Sequence, residues 1–148
     1  MKALILFISH YGNTKQVAET IAQQITALGH EALVQDLRQR LPDLENFDFV
    51  VIGAPTRMAR VTGKALSALK MLRKKGFVTK PVVIFDTYGP LRAKQEDLEK
   101  NKKWFYPGAA GIMQKVGKDL GLNMYAEVLR CEVQAYKGPL ANHQLEKA

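Results

Sequence analysis

The chain has 148 residues, of which 47% are hydrophobic and 24% charged, as expected for one soluble globular domain. Its longest apolar run, residues 3–8, is too short to span a bilayer and is not followed by a signal-peptide cleavage site, so we expect a cytoplasmic protein. The single cysteine, Cys131, excludes an internal disulfide and a thiolate metal cage, and the three histidines lack zinc-site spacing.

The net charge of +8 is concentrated in residues 57–118, which hold 15 Lys and Arg against 4 Asp and Glu. Such a basic block favours an acidic protein partner, a nucleic acid or an anionic ligand, although it is also compatible with an ordinary solvated surface. The block lacks the regular interleaving of aromatic and basic residues that is typical of nucleic-acid readers, so we do not expect nucleic-acid binding.

The chain alternates between predicted strands, which are apolar runs typical of a buried parallel sheet, and predicted helices with apolar residues at helical spacing. In chain order we predict a strand at 3–8, a helix at 14–28, strands at 31–37 and 48–53, a helix at 64–75, a strand at 81–85, an irregular segment at 91–107, a helix at 109–120, a strand at 125–135 and a short helix within 139–148. This alternation predicts an α/β fold with a doubly wound, five-stranded parallel sheet in three layers.

Ligands of such sheets bind at the carboxyl ends of the strands, so the loops after the first, third and fourth strands are the candidate sites. In the first loop, Ser9 to Thr14, Gly12 allows close backbone approach, and the N–H groups at the helix start can surround an anion. The hydroxyls of Ser9 and Thr14 can donate further hydrogen bonds. Because the loop lacks the lysine of a P-loop, it favours a phosphate monoester over a transferring triphosphate. The alternative is an ordinary turn capped by Asn13 or Thr14.

The second loop, residues 53–60, and the third, residues 86–90, each contain a proline and are individually compatible with simple turns. Because both follow parallel strands, we expect them to lie at the same edge of the sheet as the first loop. The three loops together therefore predict one composite site.

Read in order, the motifs Ser-x-x-Gly-Asn-Thr, Gly-Ala-Pro-Thr-Arg and Thr-Tyr-Gly resemble the flavodoxin family over residues 2–90 and 108–135. The resemblance implies a single flavodoxin-like domain, residues 1–148, with strand order 2-1-3-4-5 and one bound flavin mononucleotide (FMN). It implies that the phosphate is bound by Ser9, His10, Tyr11, Gly12, Asn13 and Thr14. It implies that the isoalloxazine ring is held by Pro55, Thr56, Arg57, Met58, Thr87, Tyr88, Gly89, Pro90 and Leu91, with no catalytic residue and no metal.

The chain departs from the family in its aromatic residues. Flavodoxins commonly hold the ring between aromatic side chains, whereas this chain has Met58 in the second loop and Leu91 in the third. One hypothesis is that residues 91–107, with Trp104, Phe105 and Tyr106, fold over the flavin edge and supply a ring; the alternative is that these aromatics anchor the segment to the core. Residues 139–148 are too few for a usual last helix, so both a monomer and a homodimer stay open.

The resemblance implies an electron-transfer protein that shuttles electrons between redox partners, with the chemistry supplied by the flavin. The basic block favours an acidic, ferredoxin-like partner. The shortness of the longest apolar run, residues 3–8, predicts no membrane association. One alternative is an NAD(P)H-dependent FMN quinone reductase. Another is a binding module that keeps the fold without flavin, or that binds nucleic acid through the basic block. We interpret Cys131 as a buried, unreactive thiol and His10 as a residue placed mainly by the loop backbone.

Overall fold

The computed structural model describes residues 1–56, 61–88 and 108–132, and within them the apolar runs form one parallel sheet. The strands are β1 (Lys2–Phe7), β2 (Glu31–Asp36), β3 (Phe49–Pro55), β4 (Val82–Tyr88) and β5 (Met124–Glu132). Their order across the sheet is β2-β1-β3-β4-β5, which confirms the expected fold class and strand order. The direction in which strands are added reverses between β1 and β3, and ligands bind at such a point.

Helices cover both faces of the sheet. They are α1 (Asn13–Ala27), α2 (Gly63–Lys74) and α3 (Gly108–Asp119), with a short 3-10 helix at Leu44–Asn46 before β3. Helix α1 packs on the face that buries Ile5, Phe7, Val51 and Phe85. Helices α2 and α3 pack on the opposite face, which buries Leu4, Leu6, Val50, Ile52, Val82 and Ile84. Because β1, β3 and β4 are covered on both sides, their sequences are apolar without alternation.

The predicted end of β4 is wrong. The strand continues from Phe85 to Tyr88, so Asp86, Thr87 and Tyr88 belong to β4 and not to a loop. Asp86 and Thr87 are polar, which favoured a turn, but both are buried and lie beside Arg130 and Cys131 of β5. The strand tolerates them because hydrogen bonds with neighbouring groups satisfy their side chains.

The predicted apolar face of α1 is correct at Val17 but not at its last residue. Leu28 is 75% exposed, because the helix ends at Ala27 and Leu28 forms the C-cap before Gly29 turns the chain with a φ of 88°. The predictions for residues 91–107, 133–135 and 139–148 lie outside the described residues. Within the described ranges, no helix has the length and apolar character needed to cross a membrane.

Candidate functional site

At the carboxyl edge of the sheet, two hydrogen bonds join β4 to the start of α1 and to the end of β3. The hydroxyls of Thr14, in the first turn of α1, and Thr87, in β4, lie 2.8 Å apart, and both residues are buried. The N–H of Thr56, just after β3, donates to the Thr87 carbonyl over 2.7 Å. The described parts of the three predicted loops are therefore held in one rigid corner.

The first loop leaves β1 and enters α1 through a left-handed glycine. Gly12 is the N-cap of the helix, with a φ of 91°, and its N–H donates to the Ser9 hydroxyl over 3.0 Å. The first hydrogen bond of the helix runs from the Gln16 N–H to the Gly12 carbonyl. The preceding N–H groups of the first turn therefore point out of the helix end. Since Gly12 occupies the N-cap position, neither Asn13 nor Thr14 caps the helix.

The charges around this helix start favour an anion. The first turn of α1 contains no acidic residue, and Lys15 lies within 3.9 Å of Glu19 one turn further along. His10, Tyr11 and Gly12 are exposed at the open side of the loop. Backbone N–H groups, a nearby Ser9 hydroxyl and the positive end of the helix dipole form a donor set that fits a phosphate monoester. The Thr14 hydroxyl, expected to donate a hydrogen bond to the anion, instead lies 2.8 Å from the Thr87 hydroxyl in a buried position.

Only part of the predicted ring-binding set lies within the described residues. Pro55 pairs with Thr87 across β3 and β4, and Thr56 and Tyr88 follow them at the strand ends. Pro55, Thr56 and Tyr88 are half-buried, so this edge is accessible to a ligand. The remaining predicted residues, Arg57, Met58, Gly89, Pro90 and Leu91, lie outside the described ranges.

A buried ion pair beside this edge was missed by the sequence analysis. Asp86 is fully buried in β4, and the Arg130 guanidinium of β5 binds its carboxylate through two nitrogens. The Nε atom lies 2.9 Å from Oδ1 and the Nη2 atom 3.0 Å from Oδ2. The Thr56 hydroxyl donates to the same Oδ2 over 2.7 Å. The ion pair is thus connected directly to the end of β3.

The same carboxylate also caps α3. The Ala110 N–H donates to Asp86 over 3.1 Å, and the Ala109 N–H donates to the Thr56 hydroxyl over 2.8 Å. An acidic group at a helix N-terminus is favoured by the helix dipole. Arg130 further lies over the Tyr88 ring, 4.5 Å from its centroid. These contacts hold Thr56 and Tyr88, two of the predicted ring-binding residues, in fixed positions.

One signal in the sequence pointed to this arrangement. Asp86 directly follows the apolar run Val82–Phe85, and a carboxyl group in a buried strand needs a partner. The identity of that partner depends on the β4–β5 register, which shifts between Val82 and Ile84. Sequence periodicity does not reveal such an irregularity.

A family model described as a flavodoxin domain matches residues 4–122. The chain belongs to the flavodoxin family. The matched range extends from β1 beyond α3 and includes all three predicted loops, which confirms the resemblance noted in the sequence. Membership of this family implies that the chain binds a flavin.

Three similar proteins illustrate what the chain resembles. The chain is 43% identical over 58 residues to the protoporphyrinogen IX dehydrogenase [quinone] of Escherichia coli, covering 38% of this chain and 32% of that protein. It is 26% identical over 87 residues to an NAD(P)H dehydrogenase (quinone) of Gluconacetobacter diazotrophicus, covering 45% and 44%. Oxidised flavodoxin 2 from Bacillus cereus superposes with a TM-score of 0.72 at 21% identity, covering 99% and 92%. The similarity to the Bacillus cereus flavodoxin shows a shared fold.

The chain spans only 32% of the length of the Escherichia coli relative and 44% of the length of the Gluconacetobacter diazotrophicus relative. The activities in their names therefore describe those proteins as wholes. In contrast, the superposition with the Bacillus cereus flavodoxin extends over nearly all of both chains.

Proposed function

We propose that this flavodoxin-family chain binds one FMN and carries electrons between redox partners. The observation that supports the proposal most directly is the first loop, where the left-handed Gly12 opens the start of α1 without a side-chain cap. When bound, FMN supplies the transfer of one or two electrons. The protein residues then have to bind, orient and shield the cofactor.

In this proposal the two parts of the cofactor are held by different elements. The phosphate is bound by residues 9–14, through backbone N–H groups at the start of α1 and the Ser9 hydroxyl. The ring lies against the ends of β3 and β4, near Thr56 and Tyr88. The bond between Thr14 and Thr87, 2.8 Å long, connects the phosphate loop to the ring strands, so the site is organised before the ligand arrives.

The proposal is tested by titrating the flavin-free protein with FMN and with riboflavin, which lacks the phosphate, and following flavin absorption and fluorescence. We expect tight 1:1 binding of FMN. Gly12→Val forces a β-branched residue into the left-handed region and should weaken FMN binding at least about tenfold, while riboflavin binding changes little.

The matched control for this titration is Gly29→Val. Gly29 lies at the other end of α1 with a φ of 88°, close to the 91° of Gly12, and a Cβ atom added to either glycine would meet no other atom within 4 Å. The two substitutions therefore strain the backbone equally, but only Gly12 lies in the phosphate loop. A protein that ignores FMN, or two variants that lose FMN equally, would contradict the proposed site.

A second candidate function is an FMN-dependent quinone reductase. It is favoured by the match to two relatives whose names include a quinone-linked dehydrogenase activity. We expect the electron carrier to oxidise NADPH slowly in the presence of a small quinone, because nothing in the described site is dedicated to nicotinamide. Sustained turnover of NADPH with quinone that Gly12→Val abolishes would favour the reductase instead.

A further inference from the structure

A groove runs along α2, and neither Asp86 nor Arg130 lines it. One wall is helix α2 and the other is the segment that follows β2, from Leu37 to Leu41. Its volume is about 340 Å³. None of the residues that line it belongs to the proposed flavin loops.

The floor of the groove is apolar. Leu37 and Leu41 pack against the core but stay half-buried, and the Met71 side chain is 39% exposed. An exposed methionine between two leucines offers an adaptable apolar surface, because the thioether chain is unbranched and flexible. This floor can accept an apolar side chain from another molecule.

The rim of the groove is cationic. Lys64, Met71 and Lys75 are seven and then four residues apart, so they lie on one stripe of α2. The two lysines mark the ends of the groove, about 16 Å apart along the helix axis. Arg40 contributes a third cation from the opposite wall. An apolar floor between separated positive charges is complementary to an apolar surface flanked by carboxylates.

The described residues that line the groove include these three cations and no acidic residue. The sequence contains no Asp or Glu between residues 49 and 85, and Arg40, Lys64 and Lys75 form no salt bridge with a described residue. Asp43 and Glu45 line a neighbouring pocket together with Lys75 and partly balance its charge, whereas Arg40 and Lys64 do not line that pocket. Asp36 is bound by Arg38, and Asp43 accepts a hydrogen bond from the Glu45 N–H.

We propose that this groove binds an acidic, amphipathic helical segment of a partner protein. The partner helix would place carboxylates near Lys64 and Lys75 and an apolar side chain over Met71, which is a helix-in-groove mode of recognition. An apolar floor distinguishes this surface from a nucleic-acid site, where phosphate contacts dominate.

The identification of that protein as a redox partner rests on the proposed function. Lys64 lies in the first turn of α2, which begins eight residues after β3 ends, so one end of the groove lies toward the carboxyl edge of the sheet. A helix bound there would bring its protein close to the proposed flavin site. The positive rim would also speed the encounter with an acidic partner at low salt.

The test is a selection of displayed helical peptides, about 16 residues long, against the whole chain both with and without FMN. We expect the enriched peptides to combine acidic residues near both ends with an apolar residue between them. A fluorescein-labelled enriched peptide is then titrated with each variant and followed by fluorescence anisotropy. Lys64→Glu/Lys75→Glu should weaken binding at least about tenfold.

The matched control is Lys70→Glu/Arg73→Glu, which makes the same change of charge on exposed positions of α2 that lie away from the stripe. This control should retain peptide binding within about threefold at physiological salt, since screening weakens distant charges. Equal losses of peptide binding in the two double variants would show that binding depends only on net charge, and would contradict the proposed binding site in the groove. The proposal would also be contradicted if no peptides were enriched, or if the enriched peptides lacked acidic residues. It would likewise be contradicted if single-stranded DNA competed for the site as strongly as the unlabelled peptide.

The result of the peptide-binding test does not depend on whether the proposed electron-transfer function is correct. Neither double variant touches the flavin loops, so both should bind FMN as the wild type does. A protein that binds acidic peptides in the groove but ignores FMN would leave this inference standing and remove the proposed electron transfer.

Discussion

Arg130 of β5 and Asp86 of β4 lie directly opposite each other in the sheet and form a bidentate ion pair. The carboxylate is fully buried and the arginine side chain is 15% exposed. The pair also connects Thr56, Tyr88 and the start of α3. The edge proposed to bind the flavin ring is thus connected to a strand that contributes no predicted site residue.

Arg130→Met is expected to destabilise the protein by about 3–5 kcal/mol, because it leaves a buried carboxylate without its counter-ion. Chemical denaturation followed by circular dichroism measures this change. The control is Arg38→Met, which removes the cation of the Asp36–Arg38 pair; because the Arg38 side chain is 60% exposed and Asp36 is not fully buried, this change should have a much smaller effect. Similar small changes in both variants would show that the buried pair contributes no more than a surface pair.

Gly53→Ala is expected to destabilise the protein by at least about 1–3 kcal/mol through overpacking. A Cβ atom at Gly53 would lie 1.9 Å from Cζ of Phe85, whose ring is fully buried and crosses β3 at this point. Gly63→Ala provides the control, since nothing lies within 4 Å of its Cβ position at the start of α2. Thermal unfolding compares the two variants, and an unchanged midpoint for Gly53→Ala would mean that Phe85 can move aside.

Thr87→Val is expected to cost about 1–3 kcal/mol, because the buried Thr14 hydroxyl loses its hydrogen bond. Thr14→Val/Thr87→Val should recover part of this loss, giving a coupling free energy of about 1 kcal/mol in a double-mutant cycle. Thr26→Val is the control, since that hydroxyl bonds the Ala22 carbonyl on an exposed part of α1. Strictly additive effects of the two threonines would argue against the contact.

Acidification should weaken the turn after β2. Hydrogen bonds from Arg38 hold the pKa of Asp36 below its ordinary value of 3.8. As the pH falls, the unfolded chain therefore binds the proton first, so the contribution of this pair is present above 3.8 and is lost as the pH falls through the lowered pKa. The urea midpoint of the wild type should fall more steeply below about pH 4 than that of Asp36→Asn. Parallel curves would contradict a lowered pKa.

The sequence by itself determined the sheet and the location of the first loop. Continuous apolar runs such as Ala3–Ile8 and Val50–Ile52 arise only where both faces of a strand are covered, so they indicated a parallel sheet with helices on both sides. Parallel neighbours align their carboxyl ends, and for that reason the pattern of residues alone was enough to assign the loop at Ser9–Thr14 to the same edge as residues 53–60.

Only the tertiary structure decided how that edge is held together. Polar residues such as Asp86 and Thr87 resemble a turn in sequence, and their burial depends on partners 44 and 73 residues away along the chain, Arg130 and Thr14. The groove at Met71 likewise needs two segments that are distant in sequence. Local periodicity reports which face of an element is apolar, whereas the pairing of buried polar groups depends on register and packing between elements, which the local pattern does not contain.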